Sequence, residues 1–499
     1  MAEFAPILIL LAVIGFVIYR LPKVDLGHSK EYARRRVMNW LPLGLTYAFL
    51  YMGRYNLKVS QHAFEQMPDP SGNPLMGNAD FATVFGVGTA VYGASFLING
   101  PLTDRIGGKK VILAGATGSA IANGLMGLAA YSLNKHGAYS DFLAAHFVAV
   151  FSGLYALNMY FQSFGAVAIV KINAPWFHVR ERGVFGAIFG ILISLGIYFA
   201  FDWSYLVLEN FGLAEVFFAP AVMLAVFGTA VFFMVKNTPG EAGHDDFDTA
   251  DASSGDDGPR LGVVAVFKLM LTNPVIVTIA CIEFCSGFLR QAIMQWYRTF
   301  AKHTDGTLGL KSDFVYENWG LLLCCAGILG GTMAGVISDR VFDSRRGPVA
   351  GILYATMAAG AVLLAFVFET PFVGWLVLVM SMSVIGVHGM LSGTASMDFG
   401  GKKNVGVAVG IIDGFVYAGT AVMSLTYGLL LPEEQLSAEG ELVGPSTDPS
   451  NWINWPLAMI PVALIGFLLA LRVWNAKPKG KAKQDKTYLA EDEDKPKEF

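Results

Sequence analysis

The sequence predicts an all-α membrane protein that crosses the bilayer many times. Of its 499 residues 54% are hydrophobic and only 15% are charged, whereas about 25% of the residues in a typical soluble domain are charged. Apolar runs of about 20 residues, the length that spans a bilayer as a helix, recur along the whole chain. Short alternating segments typical of an outer-membrane β-barrel do not. The class is therefore a polytopic helical protein.

The apolar runs predict one extra helix followed by twelve core helices. Residues 5–21 form the extra helix; Arg20 and Lys23 follow its apolar run, and no small-residue cleavage site does. We therefore expect a retained helix with its N-terminus outside rather than a signal peptide. The core helices are predicted at 38–62, 80–101, 110–133, 142–176, 184–207, 213–235, 274–300, 315–337, 348–369, 373–398, 404–431 and 452–474.

The loops on one side of the predicted helices are rich in lysine and arginine. Those on the other side are nearly free of them, and the segments 65–79, 208–212 and 432–451 contain none. Basic loops stay in the cytoplasm, so we expect a multi-pass protein of the inner membrane whose C-terminus is cytoplasmic. Both six-helix halves then begin and end on the cytoplasmic side, which makes them parallel repeats. The predicted divisions are the extra helix and basic segment (1–37), the first bundle (38–235), a cytoplasmic linker (236–273), the second bundle (274–474) and a charged tail (475–499).

Each half carries one arginine inside an apolar segment. Arg54 lies in TYAFLYMGRYNLKVS, and Arg290 lies in CIEFCSGFLRQAIMQWY. A cation at the centre of the bilayer costs about 2.5–3.5 kcal/mol or more, so it usually marks a substrate or ion site. Two arginines facing each other suit a doubly charged anion such as a phosphate ester, although a structural ion pair is the alternative for Arg54.

A second repeated feature follows each arginine. A Gly-x-x-x-Asp-Arg loop begins at Gly100 and again at Gly335, and its aspartate comes 50 residues after Arg54 in the first half and 49 after Arg290 in the second. The loop GPLTDRIGGKK resembles the signature loop of the major facilitator superfamily, in which it holds the cytoplasmic gate. That resemblance implies a gating role for four charged residues, and the second copy departs from the pattern after the last of them: Asp104, Arg105, Asp339 and Arg340.

The first core helix presents polar side chains on one face. Tyr47, Tyr51, Arg54 and Lys58 fall at i, i+4, i+7 and i+11. Phenol hydroxyls can donate to phosphate oxygens, so the tyrosines and Arg54 predict an anion site. Lys58 lies near the outer end and is expected to extend its ammonium group toward the membrane surface.

Two carboxyl groups within predicted helices of the second half are candidates for proton coupling. Glu283 precedes Arg290 by seven residues and is therefore either its counter-charge or a proton site. Asp413, in the eleventh core helix, either takes part in coupling or bonds to a helix end.

Several segments together resemble the organophosphate:phosphate antiporter family, which includes glycerol-3-phosphate and hexose-phosphate transporters. They are the Arg54 helix, QSFGAVAIVKINAPWFHVRERG (162–183), FLRQAIMQWY and residues 384–419. The resemblance implies that Arg54 and Arg290 are paired phosphate-binding arginines and that Tyr47 and Tyr51 belong to the same site. It also matches Lys171 with a basic residue and His388 with a histidine, which implies that both bind substrate; for His388 a helix–helix hydrogen bond is the alternative.

The chain departs from the glycerol-3-phosphate transporters of this family at three positions. Pro175, Phe96 and Gln295 stand where those proteins have a histidine, a lysine and an aspartate. The resemblance therefore predicts phosphate recognition but does not identify the organic substrate.

The expected function is exchange of an organic phosphate, glycerol-3-phosphate or a sugar phosphate, for inorganic phosphate by rocker-switch alternating access. A proton-coupled symporter of another organic anion that uses Glu283 or Asp413, and a membrane sensor of phosphorylated sugars, are the alternatives. The sequence has no nucleotide-binding Gly-x-x-x-x-Gly-Lys loop, no metal-ligand spacing and no nucleophile–base arrangement. We therefore expect no cofactor, no metal, no enzymatic activity and no nucleic-acid partner, and a monomer in the lipid bilayer.

Overall fold

The computed structural model describes residues 12, 14–16, 19, 28–137, 139–178, 181–249, 263–342, 345–392, 396–437 and 442–475. Within these ranges the side chains of 182–187, 189, 339, 396–405 and 436 are not described. Most of the predicted extra helix, part of the linker and nearly all of the charged tail lie outside the described residues. The described residues of the predicted extra helix are helical, and Ile14 packs against a small apolar cluster that includes Ile191 and Leu321.

Six long helices form the first half of the described chain. They are α1 (Lys30–Phe64), α2 (Asn78–Ile106), α3 (Gly108–Asn134), α4 (Phe147–Asn173), α5 (Arg182–Tyr198) and α6 (Leu213–Met234). A π-helical turn, Phe199–Trp203, and the helix Ser204–Asn210 extend α5, and the short elements Ser140–Ala145 and Ala174–Trp176 flank α4. Ser29 begins α1 because its hydroxyl accepts a hydrogen bond from the Tyr32 amide at 3.1 Å.

Six long helices follow in the second half. They are α7 (Pro274–His303), α8 (Trp319–Val341), α9 (Arg346–Val367), α10 (Val373–Met390), α11 (Ser396–Leu430) and α12 (Asn454–Arg472). Asn273 begins α7: its side chain accepts from the Val275 amide at 3.0 Å, and Pro274 occupies the first helical position, where no amide donor is needed. Shorter elements are Gly240–Ala242, Val263–Leu271, Asp305–Leu308, Leu310–Ser312, Phe314–Glu317, Pro445–Thr447 and Pro449–Trp452, with the antiparallel strands β1 (Gln435–Leu436) and β2 (Leu442–Val443).

Eleven helices in the described part of the chain are long and apolar enough to cross a membrane. The all-α membrane class is confirmed. Helix α1 is not one of the eleven, although it is 35 residues long, because polar side chains such as Arg54, Asn56 and Lys58 interrupt its apolar residues. Its crossing of the bilayer, and hence the predicted total of twelve core helices, stays a prediction.

The two groups of six helices pack internally in the same way. Helix α1 packs against α5 and α6, and α7 packs against α11 and α12; α3 packs against α4 and α6, and α9 against α10 and α12. Between the groups, α2 packs against α11 and α5 against α8. This repeated arrangement supports the boundaries 38–235 and 274–474, which remain a proposal.

Glycines permit the close approach of α2 and α11. A Cβ atom added at Gly410 would lie 2.6 Å from the backbone oxygen of Phe96, and one at Gly406 would lie 2.5 Å from that of Gly100. Both distances are too short for a side chain, so larger residues would force the helices apart. The contact joins the two halves near the end of the bundle that is predicted to be cytoplasmic.

The last part of the predicted linker is helical. Val266 and Met270 of the helix Val263–Leu271 pack against Ile276 of α7 and Val407 of α11. The chain is therefore anchored on the second half before α7 begins.

Candidate functional site

Arg54 is fully buried, and its guanidinium group is held by three neutral side chains. Its Nε donates to Gln162 Oε1 of α4 at 3.0 Å and its Nη2 donates to the hydroxyl of Tyr92 of α2 at 2.7 Å. Its Nη1 donates to the hydroxyl of Tyr417, which comes from α11 in the other half. The guanidinium carbon also lies 4.5 Å from the centre of the Tyr51 ring. No carboxylate of the described residues forms an ion pair with Arg54.

Arg290 is also buried, at 5% exposure, but its guanidinium group has open donors. Its Nε and Nη2 atoms are buried and have no hydrogen-bond partner among the described residues. Tyr51 and Tyr417 both lie within electrostatic range of the two guanidinium groups. The structure therefore brings Arg54 and Arg290 to one aromatic cluster between the halves, in which Arg290 keeps two donors for an anion.

Tyr47 and Tyr51 share the face of α1 that carries Arg54, as the sequence spacing predicts. Both are buried, and their ring centroids are 5.3 Å apart. Tyr55, one residue after Arg54, bridges the halves by accepting a hydrogen bond from Gln291 of α7 at 2.7 Å. Its ring lies beside that of Tyr51, with 5.9 Å between the centroids.

Glu283 pairs with His388 instead of Arg290. Its Oε2 lies 2.8 Å from His388 Nδ1, and its Oε1 is buried without a hydrogen-bond partner in the described chain. Asp413 accepts a hydrogen bond from Ser392. His388, Glu283 and Arg290 are near enough for their charges to act on Asp413. Glu283, His388 and Asp413 thus form a titratable group near Arg290. Both a structural role and a proton-binding role remain open for this group.

Lys171 lies at the first gating loop and not beside the arginines. Its Nζ is 2.6 Å from Asp104 Oδ1. Gln162, the Arg54 partner on the same helix, precedes Lys171 by nine residues, or about 13.5 Å along the axis. The Asp104 carboxylate also lies against α11, because a Cβ atom added at Gly406 would be 2.7 Å from Asp104 Oδ2, and this contact joins the halves at this end.

The structure shows fewer contacts for the other three gating candidates. Arg105 and Arg340 are exposed, and neither forms an ion pair with the described residues. The side chain of Asp339 lies outside the described residues. Their gating roles therefore stay predictions from the family resemblance.

The opposite end of the bundle, which is predicted to lie outside, is closed by a buried ionic cluster that the sequence did not predict and that is here called the outer cluster. Glu65, at the end of α1, lies 2.6 Å from the Lys302 ammonium and 3.4 Å from both His62 and His303. Lys302 and His303 belong to α7, so this cluster joins the two halves. Lys58 is buried there at 2% exposure: it donates to Gln61 at 2.7 Å and lies over the Phe81 and Trp296 rings. The expectation that Lys58 extends to the membrane surface was wrong.

Glu434, between α11 and α12, completes the outer cluster. It accepts a hydrogen bond from the Asn78 amide at the start of α2, and its Oε2 is buried without a partner among the described residues. Burial, together with the nearby charge of Glu65, raises the pKa of Glu434 to about 8. This carboxyl group is therefore mostly protonated at neutral pH while the outer end is closed.

The sequence gives no direct sign of the residues from other helices that contact Arg54. Tyr92, Gln162 and Tyr417 carry no charge and lie in ordinary apolar segments. Their one available signal was a polar or phenolic side chain near the middle of a span, which requires the helix packing to interpret. Groups of three or more metal-binding side chains are absent from the described part of the chain.

The described chain has twelve long helices in two repeated groups, with buried arginines where the groups meet, an arrangement typical of a membrane transporter. The chain belongs to the Major Facilitator Superfamily, whose family model matches residues 43–424. It is 24% identical to the glycerol-3-phosphate transporter of Bacillus subtilis (strain 168) over 474 residues, covering 90% of this chain and 95% of that protein. It is 24% identical to the membrane sensor protein UhpC of Escherichia coli (strain K12), covering 80% and 86% of the two chains.

A further relative is the probable hexose phosphate transport protein of Chlamydia pneumoniae, 22% identical over 90% of this chain and 94% of that protein. Among solved structures, a bacterial homologue of the human lysosomal transporter Spinster, in an inward-facing and unoccupied conformation, has a TM-score of 0.61 at 12% identity. The alignment covers 90% of this chain and 98% of that one, and it shows the shared fold. The protein is thus a multi-pass membrane protein of a transporter superfamily and not an enzyme.

Proposed function

We propose that this protein exchanges an organic phosphate for inorganic phosphate across the cytoplasmic membrane. The observation that carries the proposal is the contrast between the two buried arginines. Arg54 is held by neutral partners, whereas Arg290 keeps two buried N–H donors without a partner in the described chain. Buried donors are rarely left unpaired, and a phosphate oxygen would satisfy them. The named functions of the Bacillus and Chlamydia relatives support the same class of substrate.

Electrostatics gives a reason for exchange rather than simple release. Two buried guanidinium groups repel each other, and none of the described carboxylates pairs directly with either of them. A dianionic phosphate between them offsets this repulsion and attracts both halves, so the loaded protein changes state more readily than the empty one. The hydroxyls of Tyr92 and Tyr417 are placed to donate to the same phosphate.

The two closed ends supply the gates in this proposal. Opening toward the outside would separate Glu65 from Lys302, and opening toward the cytoplasm would separate Asp104 from Gly406 of α11. We assign the Glu65 end to the outside because its loops contain few lysines and arginines, and we take the monomer to be the transporting unit.

Counterflow in proteoliposomes tests the proposal. Vesicles loaded with unlabelled inorganic phosphate receive labelled phosphate outside, with glycerol-3-phosphate, glucose-6-phosphate or phosphoglycerate as competitors. Rapid phosphate exchange that one organic phosphate inhibits would establish antiport and identify the substrate. Absence of exchange in correctly inserted protein, with and without a pH gradient, would refute it.

A proton-coupled symporter is the second candidate, and the buried Glu283–His388 pair beside Arg290 is the observation that favours it. Uptake that follows the pH gradient without phosphate inside would select this function. A protein that binds ligand and moves almost none of it would instead resemble the sensor named among its relatives.

A further inference from the structure

A chain of hydrogen bonds runs along α7 from the proposed phosphate site toward the outer end. The Gln291 amide donates to the hydroxyl of Tyr55 at 2.7 Å, and the Gln295 amide donates to Gln291 Oε1 at 2.8 Å. All three side chains are buried, and both glutamines have 0% exposure. The chain ends at Gln295 Oε1, which is buried and has no hydrogen-bond partner among the described residues.

The open end of this chain is the Gln295 amide oxygen, a buried acceptor that lacks a hydrogen bond in the described chain. A buried amide oxygen without a hydrogen bond is costly, so native proteins seldom leave one unsatisfied. If both amides were turned over, the hydrogen bonds would run in the other direction and the open atom would be the Gln295 nitrogen, a donor. A hydroxyl group satisfies either arrangement, because it both donates and accepts.

The position of Gln295 relates this group to the phosphate site. Gln291 follows Arg290 directly, and Gln295 lies five residues beyond Arg290, about 7.5 Å further along the helix axis. Tyr55 lies within electrostatic range of the Arg290 guanidinium group. The hydrogen-bond chain therefore begins beside the open donors of Arg290. A ligand whose phosphate binds Arg290 would extend its carbon skeleton past Gln291 toward Gln295.

We propose that Gln295, positioned by Gln291 and Tyr55, recognises a hydroxyl of the organic substrate, which is therefore a phosphorylated polyol or sugar. This inference rests on the proposed function, since it assumes that the phosphate binds at Arg290. The neutral amide at this position can hydrogen-bond to a hydroxyl and adds no negative charge near the phosphate. A carboxylate here would add such a charge and repel the phosphate. Inorganic phosphate has no carbon skeleton and does not reach Gln295.

Competition between matched ligands tests the inference. Propyl phosphate has the three carbons of glycerol-3-phosphate without its hydroxyls, and glucose-6-phosphate offers a longer row of hydroxyls. For the wild-type protein we expect at least one of the two hydroxyl-bearing ligands to inhibit phosphate self-exchange about tenfold more strongly than propyl phosphate. Gln295→Leu should remove most of this preference, measured as the ratio of the inhibition constants of the two ligands in the same variant.

The control variant is Ser119→Ala, which removes a buried hydroxyl that also lacks a partner in the described chain, but in α3, which packs on α4 and α6. It should keep the wild-type preference. A preference that survives in Gln295→Leu, or a wild-type protein that does not distinguish the hydroxyl-bearing ligands from propyl phosphate, would overturn the inference.

Ligand binding separates this inference from the proposed function. Thermal stabilisation of the purified protein by the same ligands reports binding without transport. Selective stabilisation by a hydroxyl-bearing phosphate, lost in Gln295→Leu, would support the hydroxyl site even if no exchange occurs. If none of the phosphates stabilises the wild-type protein, both the inference and the phosphate site are refuted. A Gln295→Leu protein that does not fold would be replaced by Gln295→Met, for which the same results are expected.

Discussion

Replacing Glu65 with glutamine should open the outer end of the protein. The Glu65 carboxylate, 1% exposed, is the counter-charge of Lys302, whose ammonium lies 2.6 Å away and is 13% exposed. Glutamine keeps the size and can still accept a hydrogen bond, but it leaves the lysine without an opposite charge. Removing one partner of a buried ion pair costs about 3–5 kcal/mol. We take the lower end because Lys302 keeps some exposure, and subtract about 1 kcal/mol for the neutral hydrogen bond that remains.

The result is about 2 kcal/mol in favour of the outward-open form, or roughly a thirtyfold shift in its population. The assay uses a background in which the four native cysteines are replaced, with Thr299→Cys as the reporter. Thr299 is fully buried in α7 between Gln295 and the outer cluster. A membrane-impermeant thiol reagent added from outside should label this cysteine roughly thirtyfold faster when Glu65→Gln is also present.

Asp305→Asn is the matched control for the change of charge. Asp305 pairs with Lys311 at 3.7 Å, but the two side chains are 32% and 50% exposed. Surface pairs of this kind contribute little, so labelling should stay within about twofold of the starting rate. An unchanged labelling rate in Glu65→Gln, or an equal increase in Asp305→Asn, would refute the assignment of Glu65 to an outer gate.

Three further changes test other parts of the structure. Arg54→Lys and Arg290→Lys should each reduce phosphate counterflow at least tenfold, because lysine lacks the planar fork that makes several directed hydrogen bonds; wild-type rates in both would exclude the two-arginine site. The pKa of Glu434 is raised to about 8 in the closed form and should return toward the ordinary 4.5 when the outer end opens and water enters. Protonated Glu434 therefore favours the closed form at low pH. This stabilisation of the closed form is lost as pH rises through about 8. Outside labelling of the Thr299→Cys reporter, divided by the labelling of a fully exposed cysteine at the same pH, should therefore increase between pH 6 and 9. Glu434→Gln should flatten this ratio, and a flat ratio in the starting protein would contradict the assignment. Gly410→Leu places a side chain against the backbone of Phe96 and should favour the form open to the cytoplasm, visible as faster labelling from inside in inverted vesicles; unchanged labelling would show that α2 and α11 can separate without changing access.

The sequence predicted the helices and the arginines well because both depend on local patterns. Apolar runs determine where helices cross, and a cation inside such a run is conspicuous wherever it occurs. The spacing of Tyr47, Tyr51 and Arg54 likewise follows from the period of a single helix. These features needed no knowledge of which helices pack together.

The partners of the arginines could not be predicted in this way. Tyr417 follows Arg54 by 363 positions and meets it only because α11 packs against α2 and α7. The outer cluster has the same origin, since Glu65 and Lys302 belong to different halves. Lys171 was placed at the substrate site from family resemblance, although its position close to the end of α4 at Asn173 was a sign that it lies near the membrane surface.

Asp202 has a consequence for the role of water in gating. Its carboxylate, on the π-helical turn after α5, accepts hydrogen bonds from the amides of Gly320 and Leu321, both at 2.8 Å, at the start of α8 in the other half. Separating α5 from α8 at this point exposes a carboxylate and two amide donors together, and only solvent can take over their hydrogen bonds. Hydration of the outer mouth should therefore accompany this separation rather than follow it. Osmotic stress from solutes too large to enter the mouth should then slow outward opening, and we expect the transport rate to fall as the activity of water is lowered.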